Sequence, residues 1–140
     1  MKVWIALRVA AGLAFVQYCA HAYRFLSAGP PKGAAALAVD AMRANAFDVA
    51  GSSRTYWDFY FGYGLMAIVS GVVEAVALWH IATLAKTDPR RVAPLVLLFL
   101  CANVAHAVLA WSYFFVTPVV PDMLIAVILG GSLFATYRAA

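Results

Sequence analysis

The stretch Tyr56–Ala85, YWDFYFGYGLMAIVSGVVEAVALWHIATLA, decides the fold. A helix needs roughly 20 apolar residues to cross about 30 Å of hydrocarbon, and this stretch is longer than that. Near its middle stands one carboxylate, Glu74. An ionisable side chain at such depth costs about 3 kcal/mol on insertion scales, so it marks a partner or a task.

Outward from this stretch, Val3–Leu26, Val92–Val116 and Val119–Tyr137 have the same apolar character. Hydrophobic residues make up 66 % of the chain and charged residues only 11 %, which excludes an ordinary soluble domain. The expectation is an all-α, polytopic membrane protein, a single domain over residues 1–140 built as a four-transmembrane-helix bundle. In the fourth span Pro118, Pro121 and Asp122 come first, which places its opening turn in the headgroup region, where proline at a helix start is tolerated. The N-terminus imitates a signal peptide, with Lys2 and an Ala20-His21-Ala22 site, but Arg8 interrupts the apolar run and a retained first helix is expected.

The net charge of +4 is informative through its placement. With the N-terminus inside, Lys2, Arg8, Lys86, Arg90, Arg91 and Arg138 fall on the cytoplasmic side, against Arg24, Lys32, Arg43 and Arg54 outside. Both termini are therefore expected in the cytoplasm. No basic, aromatic-interleaved patch points to nucleic acid. Cys19 and Cys101 are separated in depth by on the order of 10 Å, beyond disulfide reach, and read as small apolar groups.

Residues Ser27–Thr55 form the long outer connection. Gly29-Pro30-Pro31 ends the first helix, and Ala34–Val49 reads as an alanine-rich helix that either lies on the membrane surface or closes over the bundle as a lid. Thr55-Tyr56-Trp57-Asp58 has the spacing of a capping box, which makes Asp58 a helix-start residue. Asp58 lies roughly 160° from Glu74 around the helix, on a face continued by Leu65, Val69, Val72 and Val76.

Helical phase gathers the polar residues. Tyr56, Tyr60, Tyr63, Ala67, Ser70 and Gly71 all fall within about 60° of Glu74, a small and polar face expected to point inward. Ala10, Ala14, Gln17, His21 and Arg24 share a face of the first span, and Leu95, Phe99, Ala102, Asn103, His106, Ala110 and Tyr113 one of the third. The last span offers Ala126, Gly130, Gly131 and Ala135, with Ser132 and Thr136 as minor polar groups. Glu74, Asn103, His106 and Gln17 lie within about two helical turns of depth and can form one hydrogen-bonded layer. No haem is expected: His21 and His106 are the only plausible axial pair, and their depths differ by about a turn. No four-ligand zinc set is visible, so no metal is expected either.

The segment Phe47-Asp48-Val49-Ala50-Gly51 followed by Arg54-Thr55-Tyr56-Trp57-Asp58-Phe59-Tyr60-Phe61-Gly62-Tyr63-Gly64-Leu65 resembles one found in a family of small four-helix bacterial membrane proteins that has no assigned activity. The resemblance implies a bacterial inner-membrane location. In outline the chain is also similar to small multidrug transporters, whose membrane carboxylate lies in the first helix rather than the second. It is similar as well to sterol-isomerase-like and sigma-2-receptor-like bundles, which use buried acids; here Glu74 alone reads as a convincing one. Fold does not imply function in either case.

The preferred expectation is a cavity within the bundle that binds a small hydrophobic molecule: a lipid, isoprenoid, quinone or sterol-like compound. Gln17, His21, Arg24, Tyr56, Tyr60, Tyr63, Asn103 and Tyr113 are the candidate ligand-binding residues. The enzyme alternative has Glu74 and His106 exchanging a proton with a lipophilic substrate. A homo-oligomeric, proton-coupled transporter is the third reading. The expected partners are membrane lipid, the small ligand and, in the transporter reading, further copies of the chain.

Overall fold

The computed structural model describes residues 2–138. Its elements are α1 (Val3–Leu26), α2 (Ala34–Ala44), β1 (Ala46–Val49), β2 (Ser52–Thr55), α3 (Tyr56–Leu84), α4 (Pro89–Tyr113) and α5 (Val116–Arg138). Four of the helices are long and apolar enough to cross a membrane. Only 28–33 % of each span's apolar window is buried, so most of the apolar surface faces outward, as lipid-solvated helices require.

Two compact units make up the chain, one of residues 2–19 and 71–138 and the other of residues 20–70. The first is a four-helix bundle. Its core runs through Leu7, Ala10, Ala11 and Ala14 of α1, Ala75, Leu78, Ile81 and Ala82 of α3, Val92 and Val96 of α4, and Ile125 and Leu129 of α5. In lipid the apolar side chains gain little by leaving their solvent, so close contact between backbones must hold the helices together, and the many alanines permit it. Gly71 is the extreme case: a Cβ there would overlap the ring of Tyr18.

Local chemistry sets the helix ends. Asp88 caps α4, its Oδ1 accepting from the amides of Arg90 and Arg91 at 3.1 Å each, with Pro89 at the first helical position where its missing N–H costs nothing. The span expected at Val92–Val116 is thus shifted to Pro89–Tyr113, and Phe114 and Phe115 alone connect it to α5. The larger difference concerns the fourth span, which begins at Val116 and carries both Pro118 and Pro121 within it. Pro121 leaves the Thr117 carbonyl without its usual helical donor, yet the helix continues.

The second unit contains the end of α1, α2, a hairpin and the first half of α3. The helix expected over Ala34–Val49 stops at Ala44, and the rest is strand: β1 and β2 pair antiparallel from Ala46↔Thr55 to Val49↔Ser52. Ala50 and Gly51 form the turn with φ of 49° and 75°, the two left-handed residues of a type I′ hairpin. Phe47 packs on Tyr56 and Phe59, with ring centroids 4.9 and 5.1 Å away, and Arg43 of α2 lies 4.7 Å over the Trp57 ring. These contacts fasten the connection to the start of α3.

The capping box at the start of α3 is present. The Thr55 amide and hydroxyl donate to Asp58 Oδ2 at 2.8 and 2.9 Å, and the Asp58 amide donates back to Thr55 Oγ1 at 3.1 Å. Replacing Asp58 with Ala is expected to lower stability by about 1 kcal/mol, the ordinary value of such a cap. Chemical unfolding in detergent measures it, and an unchanged midpoint would assign Asp58 another role.

Candidate functional site

Glu74 lies on the buried face of α3 with Gly71, Ala75 and Leu78, the one-turn and two-turn spacing of a helix face. It is 7 % exposed. Across from it on α4, Asn103 is 1 % exposed and donates Nδ2 to Glu74 Oε1 at 2.5 Å and to the Phe99 carbonyl at 2.9 Å. Both protons of that amide are therefore spent, which fixes its orientation toward the carboxylate.

A second buried acid corrects the expectation of a single one. Asp122 is 4 % exposed and its Oδ1 accepts from Gln17 Nε2 at 2.7 Å. The sequence places the opening turn of the fourth span in the headgroup region, but starting α5 at Val116 sets Asp122 about 9 Å along the helix, inside the bundle. The prolines concealed this, because a break at Pro118 or Pro121 is the ordinary reading of such a stretch. The apolar face completed by Ile125, Ala126 and Leu129 was the signal that pointed the other way.

Each carboxylate is thus held by a carboxamide from a different helix. Glu74 and Asp122 lie within electrostatic reach of each other, and Tyr18 and His106 each lie within reach of both carboxylates. His106 itself is exposed, on the side of α4 adjoining Asn103 and Ala107. Gln17 leaves its Oε1 buried and without a hydrogen-bond partner. The layer is therefore rich in acceptors. Two carboxylates and an amide oxygen face a neighbourhood where the Asn103 protons are already used, and an unmade bond of this kind costs about 1–3 kcal/mol. Ser132 and Thr136, also buried, satisfy themselves on the Ile128 and Ser132 carbonyls at 2.8 and 2.9 Å and add no open group.

The remaining candidates are distributed differently. Tyr113, also in the first unit, is 77 % exposed at the end of α4. His21, Arg24, Tyr56, Tyr60 and Tyr63 belong to the second unit and are exposed. The face of α3 expected to point inward is buried from Gly71 onward, whereas Ala67 and Ser70 before it are exposed. The aromatic residues there pack on each other: Phe25 lies 5.2 Å from Phe61 and 6.2 Å from Tyr60, and Trp57 lies 5.5 Å from Tyr60. A groove of about 320 Å³ lies along this part of α3, lined by Arg54, Asp58, Phe59, Gly62, Tyr63 and Met66. No group of three or more potential metal ligands occurs among the described residues.

Fold and composition define an integral membrane protein with four candidate transmembrane helices. No protein-family model matches the sequence, and no curated protein or solved structure is significantly similar to it.

Proposed function

We propose that the protein binds a small lipophilic molecule through its polar group, at the layer formed by Glu74, Asn103, Asp122 and Gln17. The observation that carries this reading is the pair of buried carboxylates held by amides alone, with Gln17 Oε1 left without a donor. Buried acceptors are best satisfied by an incoming donor, and buried carboxylates by a cation or a hydroxyl. Among the expected ligands this favours an isoprenoid alcohol, a sterol-like alcohol or a lipophilic amine over a quinone, whose carbonyls only accept. The site lies in a bacterial inner membrane with both termini cytoplasmic in this reading, and cysteine labelling at Ser52 from the outer side checks that orientation.

A second reading, acid–base chemistry on such a molecule, is favoured by the placement of His106 near both carboxylates. Lipid extraction and native mass spectrometry of the purified protein test the first reading directly. A retained molecule bearing a hydroxyl or amine is expected, and Gln17→Leu is expected to weaken its binding about tenfold, the value of one hydrogen bond to a polar partner. Retention of a molecule without a donor, or equal binding by Gln17→Leu and Asp122→Asn, would sink the proposal. Glu74→Gln separates the two readings, because an amide still accepts a hydrogen bond but exchanges no proton at neutral pH. Binding kept with turnover lost identifies an enzyme.

A further inference from the structure

At the end of the bundle where α1 begins and α3 ends, two cations share one aromatic ring. The Arg8 guanidinium lies 5.4 Å from the Trp4 centroid, and the Lys86 ammonium lies 5.0 Å from the same centroid. The Arg8 guanidinium also lies over the Trp79 ring, 4.5 Å from its centroid. Its Nε is buried and has no hydrogen-bond partner. Two like charges are thus gathered on one indole, and one guanidinium donor is already stripped of water with nothing to receive it.

We propose that this cluster is a binding site for the phosphate of an anionic glycerophospholipid. Three features converge on that class of ligand. A guanidinium carries several N–H donors in a fork whose geometry matches phosphate oxygens, and with the Arg8 Nε buried its terminal nitrogens are the ones such a ligand would meet. Arg8 stands about 7 Å along α1 from its first residue, beside two tryptophans, at the depth where indoles and headgroups meet. Lys86 adds a second positive charge, which favours a net-negative headgroup over a zwitterionic one. The site is separate from the carboxylate layer, and neither depends on the other.

The test uses purified protein in detergent, titrated with phosphatidylglycerol or phosphatidylcholine and read by native mass spectrometry, with inorganic phosphate added in a parallel arm. Phosphatidylglycerol is expected to bind at least about fivefold more tightly than phosphatidylcholine. Lys86→Gln, an exposed substitution, should reduce that preference, and Arg8→Gln should abolish it. Should Arg8→Gln fail to fold, Lys86→Gln decides alone. Equal binding of the two lipids, an undiminished preference in Lys86→Gln, or displacement of the lipid by millimolar inorganic phosphate would each overturn the proposal, the last by identifying a site for the free anion.

Discussion

Asn103→Leu is expected to destabilise the protein by about 2 kcal/mol, several times the ~0.6 kcal/mol typical of an interhelical hydrogen bond in a membrane. The reason lies in what remains behind. Asn103 is buried and donates to Glu74 at 2.5 Å, so its removal leaves the carboxylate without the donor that orients it. Replacing both partners is a different experiment. Glu74→Leu with Asn103→Leu removes the acceptor as well as the donor, and the double variant should recover most of the loss, because an apolar pair of similar shape is often neutral or better. Equilibrium unfolding of the two single variants and the double variant in one detergent gives the coupling energy. Additive losses would mean that the two side chains do not act as a pair.

Gly71→Ala carries the second large effect, and there the sign is the informative quantity. In an unencumbered helix interior this change stabilises by about 1 kcal/mol. Here the added methyl would meet the Tyr18 ring, so the ring or the helix must move, and overpacking of this kind costs typically 1–3 kcal/mol. Tyr18 lies within electrostatic reach of Glu74 and Asp122, so displacing it should also weaken the ligand binding proposed for the layer. Combining Gly71→Ala with Tyr18→Leu should restore stability by opening the space. A more stable Gly71→Ala protein would show that Tyr18 does not pack there. Near-ultraviolet circular dichroism follows the tyrosine, and thermal unfolding follows the energy.

Phase around the helix turns Glu74 toward a layer with Asn103, His106 and Gln17, because burial of a carboxylate in lipid leaves few alternatives and small residues flank it, but phase alone does not choose the partner among them. Nor is it enough for Asp122. Prolines read locally as a helix end, whereas the packing of Ile125 and Leu129 into the core carried α5 back to Val116. The same limit applies to α3. A period of 3.6 residues assigns Tyr60 and Tyr63 to the side of Glu74, but it does not say whether another element covers that side at their height. Ala34–Val49 reads locally as one helix because it is rich in alanine, while the pairing of Val49 with Ser52 lies beyond any local propensity. The turn residues Ala50 and Gly51 lack the asparagine that usually announces such a hairpin.

That hairpin also provides a handle for engineering. Its tip at Ala50 and Gly51 is exposed, while Phe47 in β1 is anchored on Tyr56 and Phe59. Residues inserted between Ala50 and Gly51 lengthen the loop and leave the ladder in place, so an epitope or fluorophore can be carried there without disturbing the spans. Deleting one residue from β1 has the opposite character. Strand side chains alternate faces, so a slip by one turns Phe47 away from its anchor and releases the start of α3 from its tether.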